Sequence, residues 1–195
     1  MLIFTAQSTG AALLVSPMTT EPTDPTRYPI GLWQSQDTYT VAEIRQLVDQ
    51  IATLPDAYAL VLANVSTADL SRQYRPGSWT VQQLVHHVAD THMLHFMRLK
   101  NALTAPDTVG VMADVNAWAA LSEGQHAPIA DSLILLKGIH QRIAFLVGTL
   151  LPDQLAITYY HPVRQRHLTL AQALSVIVWH AEHHLAHIRL ALQVA

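Results

Sequence analysis

The sequence predicts an all-α protein, a four-helix bundle with one long crossover. Three observations lead there. Apolar residues recur at helical spacing in four long stretches. Three of those stretches open on a Thr with Glu or Gln three residues later, the capping-box pattern. Strand-like alternation occurs only weakly, between Ile157 and Leu168.

The first helix opens at Thr40, with Glu43 as its box partner. Val41, Ile44, Leu47, Val48 and Ile51 mark its inner stripe, and Pro55 is expected to break or kink it. A second helical piece then runs from Asp56 to Val65. Arg75-Pro76-Gly77 signals a turn. Thr80 and Gln83 open the next helix, which runs to about Leu103, where Thr104-Ala105-Pro106 ends it. Leu84, Val88, Thr91 and Leu94 define its buried face, which His87 fits better than His86 because adjacent helical side chains diverge by about 100°. The crossover spans Asp107 to Pro128, with a short helical element around Val115 to Leu121. A third major helix covers Ala130 to Leu150 and stops at Pro152. After the weak hairpin, Thr169 and Gln172 open the last helix. Four such helices make a bundle.

Length and composition bound the function. The 195 residues make one domain or one domain with a tail, here residues 1–27 as tail or arm and 28–195 as bundle. Ala11 to Val15 is too short an apolar run to span a membrane, and no Lys or Arg precedes it as in a secretory signal. Met18 is an alternative start. Only 13% of residues are charged, so a monomer would expose apolar surface and a subunit interface is expected. No basic run interleaves with aromatics, which argues against nucleic acid. The absence of cysteine excludes disulfides and a thiol nucleophile, and suits a cytoplasmic protein.

The chemistry concentrates in the last helix, at Trp179-His180-Ala181-Glu182-His183-His184-Leu185-Ala186-His187-Ile188. Residues four apart lie on one helical face. His180 with His184, or His183 with His187, can therefore aim two imidazoles at one ion. A third imidazole from a second apolar helix completes a site, and His87, His180 and His184 are the proposed set. Spacing separates the two pairs on the last helix poorly. Three neutral imidazoles leave the ion its charge and at least one open position, the catalytic arrangement.

These residues also resemble a family. Tyr28-Pro29-Ile30-Gly31, Tyr74-Arg75-Pro76-Gly77-Ser78-Trp79-Thr80-Val81, His86-His87-Val88-Ala89-Asp90-Thr91-His92-Met93 and the Trp179–Ile188 segment look like the YfiT branch of the DinB-like superfamily. The resemblance runs from about Tyr28 to the C-terminus. It implies a four-helix bundle, a cytoplasmic homodimer, and a zinc- or nickel-type ion on three histidines. It further implies a metal-dependent hydrolase or, as in some relatives, a bacillithiol S-transferase. The family's first ligand follows the Trp of the Trp-Thr motif by eight positions, which is His87 here. The second follows the Trp of the last helix, His180, and the third comes four residues later, His184.

An ion there serves hydrolysis by activating water or a carbonyl, or serves S-transfer by holding a substrate thiol as thiolate. A non-catalytic metal or small-ligand bundle is the further alternative. Asp90, His183 and His187 are the candidate ligand-orienting or general-base groups, with Asp90 and His183 the candidate catalytic residues. Asp90 lies one turn past His87, where it can orient an imidazole, and His183 and His187 lie beside the proposed ligands. Glu182 lies about 200° from His180 and faces away from the ion. His92 and His95 read as partly exposed helix residues or cavity lining, and His140 as a backbone-bonded core residue. Trp79, Trp118 and Trp179 read as core. His161, Arg164, Arg166 and His167 read as a solvated loop, with an entrance rim for an anionic substrate as the alternative.

Overall fold

A computed structural model describes residues 24–194. The proposed leader, with Ala11–Val15 and Met18, lies outside them. Helices α1 (Val41–Leu62), α2 (Thr67–Leu70), α3 (Val81–Thr104), α4 (Val115–Ala119), α5 (Ser122–His126), α6 (Ile129–Gly148) and α7 (Leu170–Leu192) are joined by a two-stranded sheet, β1 (Thr158–His161) and β2 (Arg166–Thr169). Capping boxes start α1, α3 and α7 at Thr40, Thr80 and Thr169, as the sequence predicts. The weak hairpin is also present, pairing Tyr159 with Leu168 in antiparallel register.

The four long helices form the bundle. Helices α1 and α3 each pack against both α6 and α7. The order around the bundle is therefore α1, α6, α3, α7, and α1 lies diagonal to α3. The long connection 105–128 joins neighbours, while the shorter connections 63–80 and 149–169 make the diagonal passages. The core between the helices holds Ile51, Tyr58, Leu84, Val88, Leu136, Ile143, Leu174, Ile177 and Ile188, each almost wholly buried. Tyr58 enters it with its hydroxyl donating to Ala181 O at 2.6 Å, so the polar end of the ring is satisfied.

Pro55 departs from expectation. Helix α1 continues through it, so the predicted break and the separate piece from Asp56 are a single 22-residue helix. Proline has no N–H, so the carbonyl four residues earlier, Ile51 O, loses its usual helical partner. His140 Nδ1–H from α6 donates to that carbonyl at 2.6 Å. The vacancy left by the proline is thus filled across the bundle, which lets the helix persist.

Two sets of contacts outside the helices fix the loops around the bundle. Gly110 lies so close to β1 that a Cβ would sit 3.2 Å from the Tyr159 ring and from Tyr160 O. Its N–H donates to Tyr160 O at 2.8 Å, which pins the 105–128 connection to the hairpin. The segment before α1 lies along α7. Trp33 Nε1 donates to Ser175 Oγ, and Trp179 Nε1 to Gly31 O, both at 3.2 Å. Arg27, assigned to the tail by the sequence, joins this layer through its carbonyl, which meets His187 of α7.

Candidate metal centre

His87 comes from the second turn of α3, and His180 and His184 from α7, which packs against it. One ring nitrogen from each lies within 4.8 Å of the others. The His87 and His180 Nε2 atoms are 3.1 Å apart. Two nitrogens on a tetrahedral ion at 2.0–2.1 Å would be about 3.3 Å apart. The donor set therefore fits a small divalent cation with little movement.

The hydrogen bonds decide which nitrogen of His180 and of His184 is free. A neutral imidazole has one donor and one acceptor, and a carbonyl only accepts. His140 Nδ1 donates to Ile51 O, so its Nε2 accepts. His92 Nδ1 donates to that Nε2 at 2.7 Å. His92 Nε2 then accepts from His180 Nδ1 at 3.1 Å. His180 is left with a bare Nε2, the atom that faces His87. A second chain fixes His184. His187 Nε2 donates to Arg27 O at 3.2 Å, so its Nδ1 accepts from His184 Nδ1 at 3.4 Å. That leaves His184 Nε2 bare. His87 Nδ1 meets Thr91 Oγ1 at 3.3 Å, a hydroxyl that can donate or accept; its Nε2 lies 3.1 Å from the bare Nε2 of His180.

Burial keeps these rings neutral. It pushes His87 and His140 down to about 4, and holds His92, His180 and His184 well below the ordinary imidazole value. Neighbouring imidazoles add to the effect at His92, His180 and His184. A neutral ring is the form that ligates.

A second group, His183, His184 and His187, also brings three donors within 4.8 Å of one another. It differs in its surroundings. His187 stacks on Tyr74 at 3.9 Å, and His183 stacks on Trp179 at 4.6 Å. None of the three lines the cavity of about 660 Å³ onto which His87 and His180 open. His183 Nδ1 is buried without a hydrogen-bond partner, and burial lowers that ring to about 4. A further cavity of about 460 Å³, between Tyr39, Arg45, Asp49 and Leu155, contains no imidazole.

The remaining sequence candidates are distributed differently from expectation. Asp90 does not line the cavity and hydrogen-bonds no imidazole among the described residues. Burial raises its carboxyl, and the nearby Glu123 adds to the effect. The place beside His87 is taken by Thr91, because i and i+4 side chains stack. His86 is as buried as His87, bonded to Ser132 Oγ at 2.7 Å and Ala127 O at 3.1 Å, because α3 is covered on that side too. His92 and His95 are both buried, and His95 lines the cavity. Glu182 belongs to neither histidine group. Trp79 tilts against the His87 ring at 4.5 Å. His161, Arg164 and Arg166, read as a solvated loop, line the cavity, because the hairpin folds back over it. His167 alone of that set lies outside the cavity, while both Arg166 and His167 are exposed. Arg98, which the sequence reading does not single out, is 5% exposed and lines the same cavity. Its signal was the α3 stripe His87, Thr91, His95, Arg98, at steps of four, four and three.

Similarity to known proteins points the same way. The DinB superfamily model matches residues 50–188. A Bacillus pumilus (strain SAFR-032) protein named "Putative metal-dependent hydrolase" is 37% identical over 162 residues, covering 83% of this chain and 92% of its own. "Putative metal-dependent hydrolase YfiT" of Bacillus subtilis (strain 168) is 34% identical over 161 residues, covering 83% and 90%. A solved structure described as "YfiT from Bacillus subtilis is a probable metal-dependent hydrolase with an unusual four-helix bundle topology" superposes with a TM-score of 0.84 at 30% identity. It covers 88% of this chain and 100% of that one. The family match over most of the chain and the extended identity to these relatives show that the chain belongs to the DinB superfamily.

Proposed function

We propose that the protein is a metal-dependent hydrolase whose ion is held by His87, His180 and His184. The observation that carries this reading is the convergence of three neutral imidazoles from two helices beside an open cavity. Three nitrogen donors suit zinc or nickel. When bound, the ion supplies Lewis acidity toward a carbonyl, water or a thiol. The chain's part is to hold the three Nε2 atoms in place, to keep the rings neutral by burial, and to admit substrate from the cavity side only. His183 and Asp90 remain candidate proton-handling groups. Asp90 would reach substrate only through a partner, since it stands off the cavity.

A second reading is S-transfer from a low-molecular-weight thiol to an electrophile. One observation favours it: the cavity of about 660 Å³ has room for two small reactants, and since the chain has no cysteine the thiol would arrive as substrate. A homodimer and a cytoplasmic setting complete the proposal. Leu60, Ile134 and Phe145 are each more than 70% exposed, which a subunit interface would cover. Among the described residues no helix is long and apolar enough to cross a membrane.

The test is an assay of untagged protein loaded with zinc or nickel. Ester and amide substrates are expected to be cleaved by the loaded protein and not after chelation. Cleavage that ignores chelation, or turnover seen only with a thiol plus a chlorinated aromatic, would reject the hydrolase reading.

A further inference from the structure

The cavity beside the histidines carries an uncompensated positive wall. Arg98 is 5% exposed and sits three residues past His95 on the stripe that begins at His87. Its Nε and one Nη both donate to Val111 O, the Nε at 2.9 Å. That carbonyl is held in place by the Gly110 bond to the hairpin. A guanidinium has five donors, so this carbonyl uses only part of its capacity. Across the cavity, Arg164 lies over the Trp33 ring at 4.4 Å and Arg166 at 5.8 Å. Stacking of this kind fixes the direction of a guanidinium.

No carboxylate answers these charges. Not one Asp or Glu lines the cavity among the described residues. The ion pairs among the described residues, Arg72–Asp69 and Lys137–Asp56, involve none of the cavity's residues. Arg98 is buried, Arg164 half-buried and Arg166 exposed; a buried charge such as Arg98 without an opposite charge is costly, and native proteins keep few of them. His95 adds a buried Nδ1 with no hydrogen-bond partner in the same wall.

We infer that the substrate is a small acidic molecule whose anionic group is received between Arg98, Arg164 and Arg166, while its reacting end reaches His87 and His180. This rests on the metal-centre reading for the position of the reacting end, but not for the anion site itself. The three cations would steer an anion inward and exclude a cationic analogue.

The test separates the two. Metal-free protein is titrated calorimetrically with succinate and with its neutral analogue succinamide. Succinate is expected to bind at least about tenfold more tightly, and more weakly as salt rises. Arg98→Met and Arg164→Gln should each remove most of that preference. Arg164→Gln, at a half-buried position, covers the case in which Arg98→Met does not fold. Equal binding of the two probes, or no succinate binding, overturns the inference. In a second arm the cobalt-loaded protein is titrated with 3-mercaptopropionate and 2-mercaptoethanol, reading the thiolate-to-cobalt band. The acidic thiol is expected to bind at least about tenfold more tightly, and equal binding overturns the placement of the reacting end. Failure to load cobalt would reject the metal centre while leaving the succinate result standing.

A second inference rests on different contacts. The geometry points to His92 and His140 as positioning residues for His180, in a relay anchored on the carbonyl that Pro55 leaves free. The order is Ile51 O, His140, His92, His180, with steps of 2.6, 2.7 and 3.1 Å. Each donor fixes the tautomer of the next ring, and the last presents Nε2. Outer partners of this kind affect metal affinity about 10–100-fold. Nitrogen-15 spectra of the metal-free wild type are expected to show His92, His140 and His180 all protonated at Nδ1. His92→Phe should leave His180 in mixed tautomers and weaken cobalt binding at least about tenfold. An Nε2 proton on wild-type His92, or unchanged cobalt affinity in His92→Phe, overturns the relay. If the wild type binds no cobalt the metal reading fails, and the tautomers alone decide the relay.

Discussion

Metal-free protein is expected to unfold cooperatively as the pH falls from about 6.5 toward 4. The cause is the number of imidazoles buried without charge. His140 is fully buried and titrates at about 4, against 6.5 for the free group. Between those values the unfolded chain binds a proton that the folded chain refuses. Stability therefore rises with pH through that window, is complete above about 6.5, and is lost as pH falls through about 4. A shift of that size is worth about 3 kcal/mol for one residue. His87, His161 and His183 are also lowered to about 4 by burial, in the same direction. A domain of this size has a total stability of about 5–15 kcal/mol, so a few such groups suffice to unfold it. Circular dichroism at 222 nm against pH reads the midpoint. Saturating zinc should move it lower, because metal and protons compete for the same nitrogens. A helical signal unchanged down to pH 4 without metal would contradict the neutral buried cluster.

Replacing His184 with Ala should strip the ion, and replacing His183 should not. His184 offers its Nε2 toward His87 and His180, with its Nδ1 already engaged by His187. Removing one of three ligands should cost more than the roughly 10–100-fold expected for an outer partner. His183 stacks on Trp179 and does not line the cavity onto which His87 and His180 open. His183→Ala should lower the melting temperature through lost packing while metal content stays near one per chain. Elemental analysis of untagged protein, with a thermal melt of each variant, measures both effects. Loss of metal in His183→Ala with retention in His184→Ala would move the site to the His183, His184 and His187 group.

Much of this was legible from the sequence because it is local. Helix boundaries follow from box residues such as Thr80 with Gln83, which contact one another whatever the rest of the chain does. The pairing of His180 with His184 follows from helical pitch alone. Pro55 misled for the same reason: the local rule predicts a break, and the compensating donor, His140, lies on a different helix far along the chain. Asp90 likewise had the right spacing for an orienting group, but the orientation of α3 gave that place to Thr91.

An all-α bundle, its capped helices and a histidine-rich last helix can be read from the chain's order of residues, because they depend on residues within a turn or two of each other. Packing of the helices sets α1 diagonal to α3 and brings His87 to His180. It alone runs two imidazole chains back to Ile51 O and Arg27 O, and faces Arg98, Arg164 and Arg166 across one cavity. Those arrangements join residues tens of positions apart. Nothing in local spacing specifies them until α3, α7 and the hairpin are packed together.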